Sequence, residues 1–190
     1  MRSSLLDVAG SLLADGGSEA LTMRRLAKAS GCSTTVLYRL FGGKNGVVSG
    51  LYREGFNRLR ARLDALPEDR EPSQRLPLLA HAYREHALAE PDYYAVMFSR
   101  PVPQYQPTSD DIAVARTSLQ VLTDAVATAQ QAGHLDTEVD AQHVAEVLWA
   151  AAHGAVSLEL AGQLPGDTAV SVFSELTTAA MVRFRTTAGR

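Results

Sequence analysis

Little in this chain suits covalent cross-linking or a membrane. It has a single cysteine, Cys32, so no internal disulfide can form, and a reducing compartment is expected. No apolar run is long enough to cross a bilayer, because the longest alanine-rich stretch is interrupted by His153 and Gly154. The N-terminal MRSSLLDVAGSLL lacks the basic start, continuous apolar stretch and cleavage site of a secretory signal. A cytoplasmic protein with no membrane partner is therefore expected. Strand signals are almost absent. There is no phosphate loop, nucleophile elbow or paired-acid constellation, and the Gly-containing stretch 162–166 is too short and Pro-broken to cradle a phosphate. An enzyme is not expected. Among the five histidines, His81 and His86 are five residues apart and do not share a helix face, and His143 with Glu146 makes only a pair. A zinc site wants four ligands, so no metal and no cofactor are implied.

Lysine is scarce as well. Both copies, Lys28 and Lys44, fall in the first 50 residues, with Arg2, Arg24, Arg25 and Arg39 against Asp7, Asp15 and Glu19. That segment carries 6 − 3 = +3 while the whole chain carries −3, so the remainder carries −6. A basic head on an acidic body favours a nucleic-acid partner for the head. Hydrophobic residues make up 46% of the 190, which excludes a disordered chain and allows a sizeable core.

Apolar residues recur at helical spacing almost throughout, punctuated by Gly and Pro. About nine helices are predicted. The first runs from about Ser4 to Ala14, with Leu5, Val8, Ala9 and Leu12 inward, and Asp15-Gly16-Gly17 stops it. Thr22 caps a second, Met23 to Ser30, with Leu26 and Ala29 inward. Ser33 caps the third, and Gly42-Gly43 ends it. A fourth runs from Lys44 to about Leu66 with an apolar stripe of Val47, Leu51, Phe56, Leu59 and Leu63 and an arginine-rich outer face. A polar linker at 67–72 follows. Ser73 caps a fifth helix that ends near Ala89, Pro91 opens a short sixth, DYYAVMF, and RPVPQYQP (100–107) is a loop. The seventh spans about Ser109 to Ala132, the eighth Ala141 to Ala161 and the ninth Asp167 to Arg185.

The stretch GCSTTVLYRLFGGK (31–44) stands out. Ser, Thr and Val are poor helix formers. Helix, glycine-containing turn and short helix have the spacing of a helix-turn-helix. A helix that enters the DNA major groove needs short polar residues at its N-terminal end, which gives Thr34 and Thr35 a physical reason to be there. Tyr38 and Arg39 remain on the open face.

The segment 20–56, ALTMRRLAKASGCSTTVLYRLFGGKNGVVSGLYREGF, resembles the DNA-binding head of the tetracycline-repressor (TetR) family. The shared pattern is a Thr-capped helix, a small-residue turn, Leu-Tyr-x-x-Phe and a Lys that opens the fourth helix. Here these are Thr22, Gly31, Leu37 to Phe41 and Lys44. The resemblance implies that Thr22, Tyr38 and Lys44 contact phosphates, while Thr34, Thr35 and Arg39 face bases. Arg24 is either a solvated residue or a further phosphate contact. Leu40 stands where the family often has a phosphate-touching His, and Gly42-Gly43 replaces a more usual polar pair. Further on, Trp149, His153 and Gly154 match the Trp-His-Gly signature of one C-terminal domain type, and YYAVMFSRP (93–101) resembles a segment of the same type.

The resemblance implies an all-α fold: a three-helix head at 1–47, followed by a helical-bundle effector-binding and dimerisation domain at 48–190. It also implies a transcriptional regulator, a repressor of an operator in double-stranded DNA, released by a small-molecule effector. The aromatic set Tyr93, Met97 and Phe98, with Trp149 and His153, is the expected effector pocket, with ordinary core packing as the other reading of those residues. Helix eight carries apolar residues on more than one face and helix nine is also apolar, which favours a homodimer built on the two. The alternative to a regulator is a helical protein-interaction module with a degenerate head, and its support is the departures at Leu40 and Gly42-Gly43.

Overall fold

A computed structural model describes residues 1–67 and 70–186; residues 68 and 69 of the predicted linker lie outside the described part. Among the described residues there are nine helices: α1 (Arg2–Ala20), α2 (Met23–Ser30), α3 (Thr34–Phe41), α4 (Lys44–Asp64), α5 (Pro72–Ala89), α6 (Pro91–Phe98), α7 (Ser109–Gln131), α8 (Ala141–Leu160) and α9 (Gly166–Val182). Their order and type follow the apolar periodicity and the caps. The first helix differs from expectation at its end. Gly16 and Gly17 leave helical geometry as predicted, Gly17 at φ +62°, yet a further turn carries the helical stretch on to Ala20.

The chain folds as two compact units. The first holds Met1–Arg58 and Glu90–Ala115, and the second holds Leu59–Ala89 and the chain from Arg116 onward. In the first unit, α1 packs on α2 and α6, and α2 packs on α3. Its core gathers Leu6, Ala9, Leu21, Leu26, Leu37, Val47 and Leu51, closed by Tyr93 and Val96 of α6. Two inward assignments are corrected here. On α1, Leu6 and Leu13 are fully inside while Val8 and Leu12 are half-buried, because the helix has neighbours on two sides and its buried face is broader than one stripe. On α2, Met23, Leu26 and Ala27 are buried and Ala29 is exposed, as the i, i+3, i+4 geometry of a two-turn helix requires. The stripe expected on α4 is fully buried from Val47 to Leu63.

In the second unit, α8 lies along α9, and α5 packs on both. Val126, Val144, Val156 and Phe173 are the largest of its fully buried apolar side chains. Arg84 of α5 grips Glu159 of α8 through two hydrogen bonds, Nε to Oε2 at 2.8 Å and Nη2 to Oε1 at 2.5 Å. This forked geometry matches a planar guanidinium to a carboxylate and fixes the rotation of one helix on the other.

Candidate DNA-binding site

The helix-turn-helix is set by three local devices. Thr22 lies in extended geometry and its hydroxyl accepts the Arg25 amide at 3.2 Å, which starts α2. Gly31 ends that helix in the left-handed region at φ +65°, where an L side chain would be strained. Ser33 then accepts the Val36 amide at 3.3 Å and starts α3. Each cap satisfies a backbone donor that the helix leaves unpaired. Ser33→Ala should therefore lower stability by about 1 kcal/mol, read as a fall in the urea midpoint at unchanged slope.

Leu37 and Phe41 anchor α3 in the core, which turns its other faces outward. Tyr38 is 55% exposed, Thr35 and Arg39 are exposed, and Thr34 is half-buried at the helix start. Thr22 and Arg24 are exposed at the start of α2. Gly42 ends α3 at φ +74°. A Cβ placed on Gly46 would collide with the Phe41 carbonyl, so α4 can begin this close to α3 only with glycine there. Lys44 opens α4 and rests its ammonium on the Ser18 carbonyl at 2.5 Å and the Ser18 hydroxyl at 3.2 Å. The structure thus brings Thr34, Thr35, Tyr38 and Arg39 onto α3, and puts Lys44 at the N-terminus of the next helix. Such a helix end presents unpaired amides that favour an anion. Leu40 is half-buried against the core.

The expected effector residues fall in both units. Tyr93 is buried in the first, where its hydroxyl donates to Asp7 at 2.8 Å and the Arg58 guanidinium lies 4.3 Å above its ring. Burial and the Asp7 bond push its phenol well above the ordinary range. Arg58 also reaches Asp7 at 2.7 Å, Glu54 at 3.1 Å and Glu90 at 3.1 Å. The arginine-rich face of α4 thus carries ion pairs, while Arg53, Arg60 and Arg62 stay 39–42% exposed. Met97 and Phe98 line a cleft of about 200 Å³ with Tyr52, Val102 and Tyr105. In the second unit, the Trp149 and His153 rings meet at a tilt of 45° with centroids 5.6 Å apart. His153 meets the Tyr83 hydroxyl at 2.9 Å and the Ser157 hydroxyl at 3.4 Å. Burial draws its pKa down, which favours the neutral ring. Among the described residues no group of three His, Cys, Asp or Glu is placed to hold a metal.

One constellation escaped sequence reasoning. Asp111, fully buried at the start of α7, accepts from Ser49 at 2.7 Å, from Tyr105 at 2.8 Å and from the Thr108 amide at 2.9 Å, and it pairs with Arg53. Its own amide donates to the Thr108 hydroxyl at 3.2 Å. This is a reciprocal cap, and the signal for it was Thr-x-x-Asp at 108–111.

Comparison with known proteins decides the family. Residues 5–51 match "Bacterial regulatory proteins, tetR family", and residues 76–181 match "Tetracyclin repressor-like, C-terminal domain". The chain belongs to the tetR family of bacterial regulators. It is a DNA-binding transcriptional regulator with a helix-turn-helix, and the family is not one of enzymes. A curated relative is the HTH-type transcriptional regulator Rv1816 of Mycobacterium tuberculosis, strain H37Rv. It is 24% identical, with 88% of this chain and 83% of that protein covered. Among solved structures, a protein of unknown function from Rhodococcus sp. RHA1 is 28% identical with a TM-score of 0.83, covering 97% of this chain and 95% of its own. The protein SCO4313 is 30% identical with a TM-score of 0.76, covering 94% of each chain. The second family match includes Trp149, His153 and Gly154.

Proposed function

We propose that this tetR-family regulator is a homodimeric repressor that a small molecule releases from its operator. The observation that carries the DNA reading is α3: anchored by Leu37 and Phe41, it leaves Thr35, Tyr38 and Arg39 open, with Thr34 half-buried at its start. Thr34, Thr35 and Arg39 are the base readers, and Thr22, Tyr38 and Lys44 hold phosphates, with Arg24 as a further phosphate contact. Phosphate contacts set register, and base contacts carry sequence. The Thr22 hydroxyl keeps its proton to donate while it caps α2, and the third Lys44 donor remains for an anion beside the amides of α4.

A homodimer through α8 and α9 is supported by apolar side chains left open on them. Leu158, Val170, Leu176 and Val182 are 42–51% exposed, whereas Val144, Ala152, Ala155 and Phe173 of the same helices are used inside the unit. Burial of such side chains against a second copy would stabilise a twofold interface. The DNA-reading part is assigned to 1–47 and the effector-binding and dimerising part to 48–190. Effector contacts are assigned to Tyr93, Met97 and Phe98 in the first unit, and to Trp149 and His153 in the second. An effector acts only through its different affinity for the DNA-competent arrangement and the other. No helix among the described residues is long and apolar enough to cross a membrane, and the cytoplasm, where the operator lies, is the proposed compartment.

The test combines light scattering with a gel shift on the DNA upstream of the protein's own gene. A dimer at micromolar concentration that shifts a two-half-site fragment is expected. A stable monomer would remove the α8–α9 interface, and failure to shift any fragment at low salt would favour the interaction-module alternative.

A further inference from the structure

The cleft of the first unit has a chemistry of its own. Its walls come from α4, α6 and the loop between α6 and α7, and they include Tyr52, Met97, Phe98, Val102 and Tyr105. Tyr52 lies 4.9 Å from Phe56 and 6.4 Å from Tyr105, so the apolar wall is aromatic and braced from behind. The volume, about 200 Å³, lies below the several hundred that hold a drug-sized ligand. A ligand smaller than that fits.

The rim carries one cation. Arg100 lines the cleft, is exposed, and sits at φ +48°, the one positive φ of a non-glycine among the described residues. A side chain in that region is strained, and such strain gathers at functional sites. Pro101 follows it and disfavours right-handed helical geometry at Arg100. The contrast with neighbouring arginines is informative. Arg53 pairs with Asp110 and Asp111, and Arg58 pairs with Asp7, Glu54 and Glu90. No carboxylate pairs with Arg100 among the described residues. Asp111 lies behind Tyr105 with its charge already met by Arg53. The Arg100 field also reaches into the cleft. Burial and Asp111 hold the Tyr52 phenol up, and Arg100 draws it down.

We propose that this cleft binds a small monocarboxylic acid, with the carboxylate on the Arg100 guanidinium and the apolar body between Tyr52, Met97 and Phe98. A guanidinium recognises a carboxylate through paired, charge-assisted hydrogen bonds. An apolar wall of this size takes an aryl ring or a short acyl chain. The inference deepens the effector reading and rests on it for its consequence: Tyr52 belongs to α4, the helix that Lys44 opens, so occupancy bears on the element next to the proposed phosphate contacts.

The experiment uses the full chain with 13C-methyl methionine. The chain has four Met, and Met97→Leu assigns the Met97 signal. Benzoate and hexanoate are titrated beside their neutral counterparts, benzyl alcohol and hexan-1-ol. A saturable shift of the Met97 methyl is expected with at least one acid, with the matching alcohol about tenfold weaker. Arg100→Gln should lower acid affinity by about tenfold, leave alcohol affinity unchanged and so abolish the preference. Because Arg100 is exposed, this variant should keep the wild-type melting temperature, which is checked by circular dichroism. If neither acid moves Met97, or if folded Arg100→Gln keeps the preference, the proposal is wrong. A gel shift with operator DNA separates the two readings. DNA binding without acid binding rejects the ligand class alone. Acid binding through Arg100 without DNA binding rejects the regulator mechanism alone.

Discussion

Asp111→Ala should destabilise the protein by about 2–4 kcal/mol, read as a large drop in the urea midpoint. The substitution removes the acceptor of the buried Tyr105 hydroxyl, the half-buried Ser49 hydroxyl and the amide of Thr108, whose residue is exposed and can turn to water, so the penalty falls mainly on Tyr105. Each orphaned buried donor costs about 1–3 kcal/mol. The loss of the Arg53 pair adds less, because that guanidinium is 39% exposed and regains water. Asp111→Asn keeps the shape and one acceptor and should cost less than half as much. The pH dependence separates charge from shape. Burial alone would raise the Asp111 carboxyl, but the Arg53 bond, then the Thr108 amide and the Ser49 and Tyr105 hydroxyls, outweigh it and hold it below the ordinary range. A depressed folded value means that the unfolded chain takes up the proton first. The contribution is therefore present above the unfolded value of about 4 and is lost as pH falls below it. The wild type should lose stability on acidification below about pH 4, and Asp111→Asn should lose visibly less over the same window. An identical slope in both proteins would show that Asp111 is not the titrating group.

Arg39→Ala should weaken operator binding by about 1–3 kcal/mol, roughly 5- to 150-fold, at the one base pair of each half-site that it reads. Arg39 lies one turn beyond Thr35 on the exposed side of α3. Its planar fork suits the two acceptors of guanine in the major groove. Lys44→Ala should behave differently. A phosphate contact carries no sequence, so binding should fall equally for all operator variants, and the salt slope should drop by about one unit per half-site. Thr34→Ala and Thr35→Ala should shift preference with smaller losses, since only a methyl contact or one hydroxyl bond is removed. Competition titrations across operator variants at several salt concentrations distinguish these outcomes. If Arg39→Ala lowered affinity uniformly and flattened the salt slope, Arg39 would be a phosphate clamp, and the threonines alone would read bases.

Much of the helix-turn-helix was legible from residue order because its devices are local. Thr22 to Arg25, Ser33 to Val36 and the left-handed Gly31 and Gly42 each act across a few residues, so a short window contains every atom involved. The open face of α3 follows from Leu37 and Phe41, four residues apart on one side of a two-turn helix. The inward faces of α1 and α2 were less legible. Periodicity marks an apolar stripe, but its centre depends on how many neighbours the helix has, and the choice between Leu6 and Val8 is made by α2 and α6 together.

Apolar periodicity, caps and Gly–Pro punctuation therefore determined the all-helical class, the nine elements and the helix-turn-helix, because a helix is held by bonds between residues three and four apart. Tertiary structure alone decided that Glu90–Ala115 folds with Met1–Arg58, that the proline-rich loop buries Val102 and Tyr105, and that Arg53 and Arg58 of α4 find carboxylate partners far along the chain. Ser49 and Arg53 reach Asp111 across 62 and 58 positions, and Arg58 reaches Asp7 across 51. Nothing in the spacing of those residues marks them as partners. A buried carboxylate is tolerable only where several donors converge on it, and that convergence exists only once the helices have packed.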